Sequence, residues 1–150
     1  MRNLRIKIKS FSPAIIYGIL VVVAGLVLPI ILIPLVSLLG YSEIVEEIAK
    51  TAIVLFLIFK LPTRKMRILA GIGFGFLFGL SEILLYLNQI FQFGDISVFW
   101  ERLLWTVPMH IFTVLVIIFF GSIRKDFLIF GLTAAIILHL VFNCISARFV

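Results

Sequence analysis

The chain has 150 residues, of which 63% are hydrophobic and 13% charged, and its mean hydropathy is +1.30. Such a composition belongs to an integral membrane protein and excludes a soluble domain folded around a water-shielded core. The net charge of +6 lies in short basic clusters between long apolar runs, so it points to membrane topology and not to nucleic acid.

Apolar runs near the ~20 residues needed to cross a bilayer can be laid down five times. They predict an all-α fold, a polytopic membrane helix bundle of about five transmembrane helices, forming a single transmembrane domain over 1–150. Arg2, Arg5, Lys7 and Lys9 lead into the first run, about 13–39, which far exceeds a signal-peptide core of about 7–15 residues and is read as a retained span. Ser12 is placed as N-cap and Pro13 at the first helical position. Pro29 and Pro34 should kink this span. It carries no ionisable side chain, which gives it a scaffold and lipid-facing role.

Gly40-Tyr41-Ser42 makes a turn into the second span, about 43–61. Glu43, Glu46, Glu47 and Lys50 follow i, i+3, i+4, i+7 spacing and share one helix face. Acids near a helix start and a Glu46–Lys50 pair at i+4 would be ordinary at an interface. An ionisable group inside a span, however, costs ~2.5–3.5 kcal/mol or more, so a cluster of them must find partners or do work.

The third span, about 68–90, contains Gly71, Gly75 and Gly79, two overlapping GxxxG patterns that allow close helix packing. Glu82 continues that stripe, so a packed face delivers a carboxylate to the interior. After a loop at Asp95, the fourth span, about 100–121, carries Trp100 and Trp105 at the interfacial belt. Arg102, Thr106, His110 and Thr113 share one of its faces, with Pro108 loosening the backbone beside the histidine. In the fifth span, about 127–147, Gly131 and Ala135 lead in i+4 steps to His139 and Asn143. Cys144 is the only cysteine, so no intramolecular disulfide forms, and it is read as a small packing residue.

The N-terminal tail, the 60–67 loop and Arg124-Lys125 hold ten of the thirteen basic residues. By the positive-inside rule the N-terminus is cytoplasmic and the C-terminus outside. At 1.5 Å per residue, Glu46, Glu47, Glu82, His110 and His139 then all reach the outer half of the bilayer. One polar pocket opening outward is expected.

Two histidines with two or three carboxylates suit Zn²⁺, with Glu47, Glu82, His110 and His139 as candidate ligands. Such an ion would acidify a water for peptide-bond hydrolysis, with a spare glutamate as base. In a metal-free version a glutamate takes the proton while His and Asn stabilise the oxyanion. A serine-type site would rest on Ser81 beside Glu82, a weak match, and an aspartyl dyad is excluded because Asp95 and Asp126 lie in loops.

Glu46-Glu47-x-x-Lys50, Phe78-x-x-x-Glu82, His110 and His139-x-x-x-Asn143 resemble the ordered motifs of the PrsW-type intramembrane proteases. That superfamily includes the CAAX-processing prenyl proteases and the Aph-1 subunit of γ-secretase. The resemblance covers about two thirds of the chain. It implies that Glu46 and Glu47 activate water or bind metal, with His110, His139 and Glu82 beside them. Asn143 would hold the oxyanion and Lys50 would balance charge. It also implies a membrane-anchored protein or peptide substrate, such as an anti-sigma factor cut at its first site. Prenyl-type relatives carry a histidine where Glu82 stands, which favours the PrsW branch. Two departures are the hydroxyl of Thr113 at i+3 from His110, not i+4, and the shortness of the chain. The alternatives are a non-catalytic Aph-1-like scaffold, in which the polar cluster joins helices, and an ion or proton carrier, which would need a polar path through the inner half.

Overall fold

A computed structural model describes residues 2–93 and 96–146, and within them every regular element is helical. The Asp95 loop lies outside the described residues. The helices are α1 (Arg2–Leu39), α2 (Ser42–Lys60), α3 (Arg64–Phe93), α4 (Ile96–Ile123) and α5 (Leu128–Ser146), with a single 3-10 turn at Lys125–Phe127 before α5. α1 differs from expectation at its start and in its course. It begins at Arg2, so Ser12 and Pro13 lie inside the helix and not at its cap, and it continues through Pro29 and Pro34. A proline forfeits one backbone bond, and in an apolar environment the remaining carbonyls have no water to turn to, which favours keeping the helix intact around it.

α1 ends where Gly40 adopts φ +73° and its N–H closes on the Val36 carbonyl at 2.8 Å. A residue with a β-carbon resists that left-handed conformation, and glycine does not. The chain thereby reverses into α2. Four segments, in α1, α3, α4 and α5 with its preceding turn, are long and apolar enough to cross a membrane. α2 falls short because 19 residues include Glu43, Glu46, Glu47, Lys50 and Lys60.

This helix is nevertheless the one that touches all the others. α2 touches α1, α3, α4 and α5, whereas α1 and α5 do not touch each other among the described residues. The buried cluster is assembled from Val54 and Leu57 of α2, Phe74 and Phe78 of α3, Val114 and Ile117 of α4, and Ala135 of α5. Ile15, Ile19, Leu104, Phe112, Phe130 and Ile137 point outward, the arrangement expected when the solvent is hydrocarbon.

The small-residue stripes decide how closely the helices approach. A β-carbon added at Gly75 would lie 2.7 Å from the Ile111 α-carbon and 2.9 Å from the His110 carbonyl oxygen, and one at Gly79 would lie 3.0 Å from the Val107 α-carbon. At Gly71 the neighbour is the flexible tip of Ile118. Gly131 does the same for α5 on α4, with the Ile117 α-carbon 3.1 Å from its virtual β-carbon. Gly25 brings α1 against Leu77 and the Phe74 carbonyl. One level further along, Ser81 donates to the Leu26 carbonyl at 2.8 Å.

Because the neighbours of Gly75 are backbone atoms that cannot rotate away, Gly75→Ala should destabilise the protein by about 1–3 kcal/mol. Gly18, with nothing within 4 Å, is the control, and Gly18→Ala should be neutral or stabilising by up to about 1 kcal/mol. Thermal unfolding in detergent measures both.

Candidate functional site

The charged face of α2 meets α3, α4 and α5 at one level. α2 is helical there despite its charges because Glu43 stands in the first turn, where the helix dipole favours an acid. The 3.6-residue period then turns Glu46, Glu47 and Lys50 towards the bundle. Thr51 supports this turn by donating to the Glu47 carbonyl at 2.7 Å.

Lys50 occupies the centre and is 0% exposed. Its ammonium donates to Glu47 Oε1 at 2.7 Å and to His110 Nδ1 at 2.6 Å, and lies 4.4 Å from the centroid of the Phe78 ring. Glu46 is farther from it, 3.9 Å, so the i+4 pair expected between Glu46 and Lys50 is the looser contact and the i+3 pair with Glu47 the tighter. The reason is burial: Glu47 is 0% exposed and needs the cation, whereas Glu46 retains 15%.

An ammonium can only donate, so its bond to Nδ1 assigns the proton of neutral His110 to Nε2. Nε2 in turn contacts Glu82 Oε2. On the other side, His139 Nδ1 donates to Glu47 Oε1 at 2.8 Å, which leaves His139 Nε2 as an acceptor. The two imidazoles stand edge to face with centroids 5.3 Å apart, and Phe78 packs 5.0 Å from His110. Glu46, Glu47, Lys50, Glu82, His110 and His139 therefore form one constellation.

Asn143 sits one turn away, where its Nδ2 donates to Glu43 Oε1 at 2.8 Å. Thr113 is buried but donates back to the His110 carbonyl at 3.2 Å, so its hydroxyl braces α4 and does not enter the cluster. Ser81 is spent on the Leu26 carbonyl, away from either histidine. Arg102 lies over the Tyr86 ring, 5.4 Å from its centroid. The sequence places Glu43 on the charged face and Phe78 in the motif that ends at Glu82, but gives neither a role in the site. Each carried a signal, since Glu43 is one turn before Glu47 as Asn143 is one turn after His139, and Phe78 is one turn before Glu82.

Two carboxylate oxygens, Glu46 Oε2 and Glu47 Oε2, are buried with no hydrogen-bond partner among the described residues. An unpaired acceptor in such a place signals an ion, a water or a reacting group. Glu46, His110 and His139 each offer a donor atom within 4.8 Å of the others. The carboxylate of Glu47 behind His139 is the usual support for a ligating imidazole. The residues present thus fit a divalent ion.

The model of the PrsW family intramembrane metalloprotease matches residues 11–150. The chain belongs to that family. No curated protein and no solved structure matches it. Family membership and the apolar helices make it a multi-pass membrane protein and a hydrolase of the intramembrane protease class. The PrsW match takes in most of α1 and all of α2 to α5, so all the motifs described above lie within it.

Removing one member of a buried ion pair strands the other, at a cost of about 3–5 kcal/mol. Lys50→Met should therefore lower stability by that order, and Lys60→Met, at the exposed end of α2, by less than about 0.5 kcal/mol. Chemical or thermal unfolding in detergent compares them.

Proposed function

We propose that this protein is an endopeptidase that hydrolyses a peptide bond of a membrane-anchored protein near the outer face of the bilayer. The observation that carries the reading is the pair of buried carboxylate oxygens on Glu46 and Glu47 that accept no hydrogen bond, beside two histidines. The alternation of basic loops supports an N-terminus in the cytoplasm and a C-terminus outside, which puts this pocket on the outer side.

Glu46, His110 and His139 would hold Zn²⁺. Bound there, the ion would act as a Lewis acid and bring a water pKa towards ~7. His139 has Nε2 free for this, whereas His110 would pass its Nε2 proton to Glu82 and take one on Nδ1 from Lys50, exchanging its Glu82 contact for the ion. Glu47 is held through Oε1 by Lys50 and His139, and its Oε2 is the acceptor for the proton of the attacking water. Lys50 keeps the local charge balanced while that proton moves. Asn143 uses one of its two N–H groups on Glu43, and the second is the donor for the developing oxyanion. Phe78 and the apolar helices around it keep bulk water away, which strengthens each of these interactions.

Zinc content and proteolysis test the assignment together. Purified protein should carry about one zinc per chain, and the His110→Ala, His139→Ala double variant none. Glu46→Gln should lose both the metal and cleavage, whereas Glu47→Gln should keep the metal and lose cleavage by at least about 100-fold. Cleavage is read as new protein N-termini in membranes of cells making each variant, so the substrate need not be known beforehand. Wild-type levels of those termini in Glu46→Gln would overturn the proposal. Parallel loss of folding and cleavage in all variants would support an Aph-1-like scaffold.

A further inference from the structure

At the end of the bundle opposite the site, α3 and α4 leave a groove of about 340 Å³. Phe112, Leu115, Val116 and Phe119 follow i, i+3, i+4, i+7 spacing and form its floor along α4, with Ile68 of α3 on the other wall. From Phe112 to Phe120 it runs about 12 Å along the helix axis. Arg64, the first residue of α3, stands at its mouth. The groove is thus apolar along its length and cationic at one end.

Arg64 is the one charged residue that lines the groove. Its guanidinium lies over the Phe119 ring, 5.9 Å from the centroid, which fixes it above the groove. A contact with an aromatic ring satisfies none of the five N–H donors of the guanidinium. Arg64 makes no hydrogen bond or salt bridge among the described residues. Three nearby cations are engaged otherwise: Arg67 Nε donates to the Leu61 carbonyl at 2.8 Å, Arg124 pairs with Asp126 at 3.2 Å, and Lys125 lies 3.9 Å from the centroid of the Phe59 ring. A fixed guanidinium with free donors matches a phosphate, and the apolar run behind it matches an alkyl chain.

We propose that this groove is a binding site for one anionic phospholipid, its phosphate on Arg64 and part of one acyl chain along Phe112, Leu115, Val116 and Phe119. A second apolar groove, of about 210 Å³ between α1 and α3, is lined by Tyr17, Gly18, Val21, Leu61, Met66, Leu69 and Ala70 and has no cation. It provides no reason to prefer one headgroup, so charge selection belongs to the Arg64 groove. The basic residues of this end attract anionic lipid generally. The groove adds a defined place for one molecule.

Native mass spectrometry of protein released from nanodiscs with equimolar phosphatidylglycerol and phosphatidylcholine tests this. One tightly held phosphatidylglycerol per chain is expected, retained about fivefold over phosphatidylcholine, the preference expected from one basic side chain at a lipid surface. Arg64→Gln should abolish the preference, and Lys65→Gln, beside it but outside the groove, should leave it unchanged. Val116→Trp, which fills the groove, should remove the bound lipid whatever its headgroup. Equal retention of the two lipids by the parent protein would overturn the proposal. So would an equal loss of preference in Lys65→Gln and Arg64→Gln, or a lipid that survives Val116→Trp.

Discussion

A fully buried ammonium holds the polar centre together. Lys50 faces Glu47 on one side, the Nδ1 of His110 on another and the ring of Phe78 beneath. In hydrocarbon none of these groups can be left alone, because an uncompensated charge there costs several kcal/mol. Each therefore fixes the next. Lys50 selects the His110 tautomer, His110 turns its other nitrogen to Glu82, and Glu47 sets the orientation of His139. Four helices are tied to one another through six side chains, and the position of each helix becomes a condition for charge balance.

Such a cluster needs rigid walls, and the small residues supply them. Gly75 and Gly79 put α3 against the backbone of α4 beside His110, and Gly131 with Ala135 does the same for α5 below His139. Van der Waals contact at this range compensates for the lack of a hydrophobic drive between helices in lipid. The outward face can then be uniformly apolar. The chain separates two tasks: glycine and alanine set distances, and the α2 face supplies chemistry.

Much of this was legible in the sequence because it depends on period and composition. The i, i+3, i+4, i+7 set from Glu43 to Lys50 and the glycine stripe leading to Glu82 are local patterns, and a helix of fixed pitch turns them directly into faces. The choice of Glu47 over Glu46 as the partner of Lys50 was not legible. It depends on which carboxylate the other helices bury, a property of the assembled bundle. Asn143 shows the same limit, since its acceptor is Glu43, a residue a hundred positions away whose relevance emerges only when α2 and α5 lie antiparallel. The continuity of α1 from Arg2 also escaped local rules, which read Ser12-Pro13 as a helix start. Capping chemistry competes there with an environment in which leaving the helix exposes carbonyls to hydrocarbon. Membership of the PrsW family agrees with the ordered motifs, which are spread over four helices and carry little information singly.

The bond between Ser81 and the Leu26 carbonyl has a mechanical consequence. The apolar part of α1, Ile15–Leu39, is 25 residues long, and an apolar segment longer than the hydrocarbon layer accommodates differences in bilayer thickness by changing its tilt. Ser81 immediately precedes Glu82, and close packing at Gly25 holds the same stretch of α1 against α3. One hydroxyl and one glycine contact therefore join α1 to the turn that presents Glu82 to His110. One wall of the polar centre thus rests on the helix whose length the membrane has to accommodate.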